Sequence, residues 1–204
     1  VGLTSACLGL VYALECQGVK AGFLKPFSQE THQESDRSTA LYRHLSNSET
    51  VEPIPYLKLI QQLNLGENDE LLEDAVRLHR QIAKHHDLII VEGLVPNSRD
   101  SFASTLNAAL VQALDAKVII VSNADINKPE VTAEKVENQL RYLGGASSTR
   151  MAGVLFMRTK GLPEDSAKIP VTIDPSLRLI SDTNKFTAQI QKTHAHIGSE
   201  KLPV

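Results

Sequence analysis

The sequence predicts an α/β fold with a doubly wound, mainly parallel sheet. Helical and strand-like patterns alternate along most of the 204 residues, and βαβ units produce that order. Three runs, at residues 87–92, 116–122 and 152–157, are rich in Val, Ile and Leu without polar alternation. Because such strands are covered on both faces, these runs indicate a sheet with helices above and below it.

Apolar residues that recur every three or four positions predict the helices. Gly18 is a stop signal after the first helix, whereas Pro129 opens the last of this set and Gly144 and Gly145 end it. The third helix has the clearest apolar stripe, opposite its charged side chains. These predicted helices span residues 2–15, 36–45, 69–83, 102–114 and 130–143.

The remaining stretches complete the predicted order of elements. Residues 21–26 (AGFLKP) form a first buried strand. Pro53 and Pro55 exclude regular structure and predict a bend, after which a second short helix has room to form. Residues 161–179 contain three prolines and no steady period, which predicts a surface excursion, and residues 181–194 have the pattern of a last helix.

We expect one domain over residues 1–204, truncated at both ends. The chain starts inside a loop at Val1, so the first strand of the sheet is expected to be missing from it. Residues 202–204 have the pattern of a further strand that is cut off at its start. A chain of this size buries a substantial core without disulfides or metals.

Composition and charge exclude two classes of partner. The formal net charge is −3 and no run of five basic residues occurs, so we expect no nucleic-acid partner. The longest apolar runs are far shorter than the roughly 18–20 residues that cross a bilayer, so we expect no membrane partner.

Cysteine usage predicts a cytoplasmic protein. Cys7 and Cys16 lie nine positions apart in one predicted helix, which turns them to opposite faces and prevents a disulfide between them. Free thiols without a signal peptide are typical of a reducing compartment. No metal-binding or catalytic-triad motif occurs. We expect solvated side chains at His79, His85, His86, His194 and His196.

The opening pentapeptide VGLTS predicts a damaged phosphate-binding loop. A Walker A motif reads G-K-[ST] before a helix, and Gly2, Leu3 and Thr4 have that form except at the central position. The motif's lysine places a positive charge on the β and γ phosphates, whereas Leu3 offers neither a charge nor a donor. Backbone N–H groups up to Ser5, at the start of the helix, would attract an anion only weakly.

Three further candidate positions follow predicted strands, where parallel sheets place ligand groups. They are Lys25, Glu92 and the pair Met157–Arg158. Lys25 is either a charged residue that ends a strand or a contact to a substrate carboxylate or phosphate. Glu92 is either a partner for backbone amides or a Mg²⁺ ligand, and the ligand reading is favoured because a charge there is costly unless used. Thr4, Asp36 and Glu92 would form a magnesium set if the fold brings them together.

Three blocks of the sequence resemble the start of the long-form bacterial phosphate acetyltransferases. VGLTSACLGLVYALECQGVKAGFLKPFSQ is similar to that family's PTGxxVGLTS loop and the elements after it. LIIVEGLVPNSRDSFASTLN is similar to its VLVEGLVP segment and following helix, and a third block consists of residues 113–121, 143–146 and 152–155. The resemblance covers most of the chain and implies an amino-terminal, P-loop-like domain of the dethiobiotin synthetase type.

The resemblance also implies a division of function. The family converts acetyl-CoA and phosphate to acetyl phosphate and CoA in a separate carboxyl-terminal domain, for which this chain has no room. We therefore expect no catalytic residue, metal or cofactor in this chain, and a regulatory or scaffolding role. The implied partners are the carboxyl-terminal acetyltransferase domain, further copies in a homo-oligomer and a small-metabolite effector.

Dethiobiotin synthetases provide the alternative functions. They carry a lysine where this chain has Leu3, a ligand-binding lysine at Lys25 and a magnesium carboxylate at Glu92. They read adenine with an asparagine after the strand that matches residues 152–157, and this chain has Met157–Arg158 where Asn-Lys is common there. An ATP-dependent ligase or ATPase of that type is the alternative, and a nucleotide-binding sensor without turnover is another. Leu3 argues against turnover, because a lysine that stabilises transferring phosphoryl charge is worth several kcal/mol.

Overall fold

A computed structural model describes residues 2–31, 35–46, 50–123, 128–145, 148–157 and 179–180. The chain divides into two compact units, Val1–Ala116 and Lys117–Val204. The elements of the first unit are α1 (Leu3–Glu15), β1 (Ala21–Leu24), α2 (Arg37–Leu45), α3 (Tyr56–Leu65), α4 (Asn68–Ala83), β2 (Leu88–Val91) and α5 (Ala103–Ala113). Those of the second unit are β3 (Val118–Asn123), α6 (Pro129–Tyr142), β4 (Met151–Met157) and β5 (Leu179–Ile180).

The α/β class and the parallel pairing are confirmed. All five predicted helices are present with ends that differ by one residue, and the short helix after the prolines is α3. Helix α3 begins after Pro55 and ends at Gly66, whose φ of 76° lies in the left-handed region. Pro129 is the first residue of α6, and Gly144 and Gly145 follow that helix with φ of 90° and 84°.

The first unit contains a two-stranded parallel sheet of β1 and β2. The register pairs Ala21 with Leu88 and Leu24 with Val91. All of β1 is buried, as predicted, whereas every residue of β2 is only half-buried. The difference follows from packing, because α1, α2 and α4 contact β1 while α1 and α4 contact β2.

The proline-flanked segment departs from the expected irregular bend. Ile54 forms an isolated parallel bridge with Phe27. Its N–H donates to the Pro26 carbonyl at 2.8 Å, and its carbonyl accepts from the N–H of Ser28 at 2.9 Å. Pro53 and Pro55 lack an N–H, so the pairing ends after this one residue.

The apolar core of the first unit lies between the helices and the ends of the strands. Its buried members include Leu59 of α3, Leu71 of α4 and Leu106 of α5. Within the described ranges, no helix is long and apolar enough to cross a bilayer.

The second unit has a three-stranded parallel sheet in the order β3–β4–β5. The helix α6 packs on β3, and Ile120, Val136, Leu140, Val154 and Phe156 form the core. The predicted excursion at 161–179 falls outside the described residues except for Leu179, which opens β5. The predicted helix at 181–194 and the strand at 202–204 also lie outside them.

The predictions for the cysteines concern disulfide formation, and those for the histidines concern solvent exposure. Cys7 is buried and Cys16 is exposed, and neither forms a disulfide. His85 is exposed, as expected. His86 corrects the expectation of a solvated side chain, because its ring is half-buried against Gly22 and its Nδ1 lies 2.9 Å from the carbonyl oxygen of Ile82. His194 and His196 fall outside the described residues.

We expect Gly22→Ala to destabilise the domain. An added Cβ would lie 2.8 Å from Cγ of His86, and overpacking of this kind costs about 1–3 kcal/mol. Gly9→Ala is the matched control, because Gly9 is an exposed position of α1 with no atom within 4 Å of an added Cβ. That control should gain about 0.5–1 kcal/mol. Urea unfolding measures both, and equal stabilities would contradict the packing of His86 on β1.

Candidate functional site

Parallel register brings Lys25 and Glu92 to the same end of the first sheet. Leu24 pairs with Val91, and the Glu92 N–H continues the ladder by donating to the Leu24 carbonyl at 2.8 Å. Lys25 Nζ lies 3.5 Å from Glu92 Oε1, and both side chains are less than 10% exposed. The two residues therefore form a buried ion pair rather than charges at a solvated strand end.

Asp36 adds a second carboxylate from the start of α2. Its Oδ1 accepts hydrogen bonds from the N–H groups of Ser38 and Thr39 at 3.0 and 3.2 Å, which makes it the N-cap of the helix. Its Oδ2 lies 2.9 Å from Lys25 Nζ and accepts from Ser28 Oγ at 3.1 Å. The cap fixes the carboxylate, and the carboxylate in turn holds the lysine.

Two hydroxyl groups join the pair of carboxylates to α1. Ser38 Oγ donates to Glu92 Oε1 at 2.9 Å and accepts from Lys25 Nζ at 3.2 Å. Thr4 Oγ1 donates to Glu92 Oε1 at 3.2 Å and lies 3.0 Å from Ser38 Oγ. We call these five residues the Lys25 cluster: Thr4, Lys25, Asp36, Ser38 and Glu92.

Glu92 is the electrostatically strained member of the Lys25 cluster. Burial raises the pKa of its carboxyl, and Lys25 and the hydroxyls of Ser38 and Thr4 offset this only in part. Oε1 accepts hydrogen bonds from Thr4 Oγ1 and Ser38 Oγ and lies in an ion pair with Lys25 Nζ. Oε2, in contrast, is buried without a hydrogen-bond partner in the described ranges, and an unmet buried acceptor costs about 1–3 kcal/mol.

The buried thiol of Cys7 faces the same charges. Burial raises the pKa of Cys7 to about 12, with a further contribution from Glu92 that Lys25 partly opposes. The thiol is therefore protonated at neutral pH, and it is a poor nucleophile because the thiolate is the reactive form. Cys7 lies three positions after Thr4 on α1, a spacing that places both on one helix face.

The loop after Glu92 is clamped by an amide side chain. Asn107 of α5 accepts from the N–H of Leu94 through Oδ1 at 2.9 Å and donates to its carbonyl through Nδ2 at 2.8 Å. A Cβ added to Gly93 would lie 2.9 Å from Asn107 Oδ1. Glycine at this position therefore allows the clamp that positions Glu92.

A second polar network fixes the far end of the same loop. Asp100 is completely buried, and its carboxylate accepts from Tyr56 Oη at 2.9 Å, Gln29 Nε2 at 2.9 Å and Asn97 Nδ2 at 2.8 Å. Burial would raise the pKa of Asp100, but these hydrogen bonds and the charge of Arg99 hold it below its usual value. Asp100 thus stays ionised and ties the loop to the segment after β1.

The structure brings together most, but not all, of the sequence-predicted positions. Thr4, Lys25 and Glu92 converge with Asp36, and Gly2 sits at the N-terminus of α1 with a φ of 110°. Leu3 is half-buried as the first residue of that helix, and Ser5 is exposed. Met157 ends β4 in the other unit, and Arg158 lies outside the described residues.

Sequence reasoning missed the polar partners of these residues. Ser38 lies two positions after a predicted helix start, and Asp-x-Ser is a capping pattern that points to it. Asn97 and Asp100 are spaced like a turn, although nothing in the sequence indicates their contacts with Gln29 and Tyr56. Among the described residues, no group of three or more Cys, His, Asp or Glu side chains has the arrangement of a metal site.

Comparisons with known proteins agree with this architecture. A family described as "AAA domain" matches residues 1–188. The phosphate acetyltransferase of Acinetobacter baylyi is 58% identical over 204 residues, which are 100% of this chain and 28% of that protein. That of Nitrosomonas europaea is 38% identical over 162 residues, covering 78% of this chain and 23% of the relative. That of Salmonella typhimurium is 31% identical over 207 residues, covering 100% and 28%. The chain spans about a quarter of the length of these relatives.

We expect Glu92→Gln to stabilise the domain in a pH-dependent manner. The raised pKa of Glu92 means that its protonated form favours folding; this contribution is complete below the unfolded-state pKa and is lost as pH rises through the folded-state pKa. Near neutral pH the ionised carboxylate is a net cost, so the amide should raise the free energy of unfolding. The gain should disappear as the pH falls to 4.5, the ordinary pKa of the group.

Chemical denaturation at a series of pH values measures this difference. Glu73→Gln on the exposed face of α4 is the control and should show no comparable pH-dependent gain. A Glu92→Gln protein that is less stable than wild type at neutral pH would show that the ionised carboxylate contributes net attraction to Lys25.

Proposed function

This chain belongs to the AAA domain family, and from that premise we propose that it is the P-loop-like amino-terminal domain of a phosphate acetyltransferase, with a scaffolding and regulatory role. In this proposal the conversion of acetyl-CoA and phosphate to acetyl phosphate and CoA takes place in a carboxyl-terminal domain of the same protein. The proposal is supported by relatives of that name, of which the chain covers only 28% or less.

The single observation that carries a non-catalytic role is Leu3. It occupies the first position of α1, directly after the left-handed Gly2, where a phosphate-binding loop would place its lysine. A leucine gives this loop no cation with which to stabilise the charge of a transferring phosphoryl group. The start of α1 therefore offers backbone N–H groups without the main electrostatic contact of a phosphate-binding loop.

The Lys25 cluster supports the same role. Its cation and both carboxylates are used in contacts with each other and with Ser38 and Thr4. Apart from Glu92 Oε2, which has no hydrogen-bond partner in the described ranges, the functional groups that a ligand would need are therefore engaged inside the domain. The buried, protonated Cys7 likewise offers no thiolate for acyl transfer.

A scaffolding domain acts through its surface, and the proposed contacts are with the carboxyl-terminal domain, a second copy of the protein or a small-metabolite effector. Two helices offer exposed leucines for such contacts. Leu41 and Leu45 are four positions apart on α2, and Leu57 and Leu65 lie on α3 with exposures of 73% and 63%. A helical spacing of four places the first pair on one face.

The alternative proposal is a nucleotide-binding function, either a ligase or ATPase of the dethiobiotin synthetase type or a sensor without turnover. Thr4, Lys25, Asp36 and Glu92 converge at the start of α1. This convergence favours nucleotide binding, because hydroxyl, carboxylate and ammonium groups are typical of nucleotide sites. The measured affinity for nucleotide distinguishes the two proposals.

We expect residues 1–204 by themselves to produce no acetyl phosphate from acetyl-CoA and phosphate. The full-length protein should catalyse the reaction. Deletion of this domain should leave the acetyl-transfer activity in place but change the size of the oligomer or its response to metabolites. Release of free thiol, followed with a colorimetric reagent, measures the activity, and size-exclusion chromatography measures the assembly. Thiol release by the domain alone, at a rate that survives further purification, would refute the proposal.

We expect the full-length protein to bind Mg-ATP at this site in the millimolar range or not at all. Loss of a buried charge-assisted hydrogen bond costs about 1.5–3 kcal/mol, or one to two orders of magnitude in affinity. Titration calorimetry measures the dissociation constant. A micromolar value that Thr4→Ala weakens would support the nucleotide-binding alternative instead. Leu3→Lys should tighten binding about tenfold if the loop retains its phosphate-binding shape, and an unchanged affinity would mean that the loop has lost it.

A further inference from the structure

We propose that the exposed face of α3 is a two-fold contact between two copies of this protein, with the two helices antiparallel and Gln61 at the axis. The inference rests on the proposed scaffolding role, which needs a surface that meets another chain. It assigns that surface to α3 and the partner to a second copy.

The helix α3 is apolar on the side that faces water as well as on the side that faces the core. Six of its ten residues are apolar, and its single charged residue is Lys58. Leu59 is completely buried in the core of the first unit, whereas Leu57 and Leu65 are 73% and 63% exposed. A helix that is hydrophobic all round is normally buried on all sides. The outer face of α3 is therefore suited to a protein partner.

The outer face of α3 has a self-complementary pattern, which we call the Gln61 ridge. Gln61 is exposed at its centre, with Leu57 four positions before it and Leu65 four positions after it. Residues four apart follow one ridge of a helix. When two copies pack antiparallel about Gln61, Leu57 of each meets Leu65 of the other, as an isologous contact requires. A glutamine amide both donates and accepts, so the two Gln61 side chains complement each other at the axis.

Charge also favours the antiparallel arrangement. The Gln61 ridge is uncharged, so two copies bring no like charges together there. Lys58 lies in the first turn of α3, and its side chain is 51% exposed although it contacts Asp74. The exposed Asp69 and Glu70 begin α4 just beyond the opposite end of α3. An antiparallel pair thus brings the basic end of each α3 towards the acidic residues that follow α3 in the other copy.

The exposed face of α2 has the same spacing but is not self-complementary. Arg37, Leu41 and Leu45 are exposed at intervals of four. An antiparallel pair about Leu41 would place Arg37 of each copy against Leu45 of the other, and a guanidinium group is costly to bury against an apolar side chain. Leu45 is 70% exposed, which is comparable to the leucines of α3. It is therefore the matched control position.

A disulfide across the axis tests the contact in the full-length protein. One pair of short helices is smaller than the roughly 1,200 Å² of a stable interface, so we expect it to form between copies held in the complete oligomer. In a Cys16→Ser background, which removes the exposed thiol of the domain, Gln61→Cys should give a covalent dimer on mild oxidation. Leu45→Cys should stay at the level of the background. Non-reducing electrophoresis measures the dimer.

Two opposite charges then test the antiparallel direction. In the Gln61→Cys protein, Leu57→Glu should lower the cross-linking rate about tenfold, because a carboxylate would be buried against Leu65 of the other copy. Addition of Leu65→Lys should restore the rate, since the new charges meet only between antiparallel copies. Within one helix they lie about 12 Å apart along the axis.

Either of two results would overturn the proposal. One is cross-linking of Gln61→Cys that does not exceed the Cys16→Ser background or the Leu45→Cys control, as expected if another domain covers α3. The other is a Gln61→Cys dimer whose formation Leu57→Glu leaves unchanged, because Leu57 would then lie outside the contact. Both results would leave the scaffolding role to another surface, since deletion of the whole domain tests that role separately.

Discussion

The contact of the Lys25 ammonium group with two carboxylates is the interaction on which the first unit depends. Lys25 follows β1, Asp36 caps α2 and Glu92 follows β2, so the contact joins three elements at one end of the sheet. Thr4 adds α1 through its hydrogen bond to Glu92. Buried charges are tolerated only when they are paired and hydrogen-bonded, and Lys25 is the cation that both carboxylates share.

Neutralisation of the cluster is incomplete, and this has a structural consequence. One positive charge faces two negative ones, and the strain falls on Glu92, whose pKa is raised by burial and whose Oε2 has no partner among the described residues. Asp36 is better supported, because backbone N–H groups of α2 and Ser28 bond its two oxygens. The helix cap thus fixes the position of the lysine, and Glu92 adjusts to it.

Two further sets of hydrogen bonds, made by Asn107 and by Asp100, fix the loop that follows Glu92. Asn107 holds the backbone just after Glu92, and Asp100 ties the end of the loop to Gln29 and Tyr56. The loop between the strand and α5 is therefore fixed at both ends by side chains from other elements. Gly2 leads directly into α1, and Leu3, the first residue of that helix, supplies no charge for a phosphate group.

The sequence alone determined the class of fold and the ends of most elements, because apolar periodicity, prolines and glycines act locally. It also placed Lys25 and Glu92 at strand ends, and parallel strands end at one edge. Only the tertiary structure decided that Lys25 pairs with Asp36 and that Ser38 links both carboxylates, since these contacts depend on how α2 approaches the sheet. The half-burial of β2 and the packing of His86 on Gly22 were likewise beyond local patterns, because burial is set by neighbours that are distant in sequence.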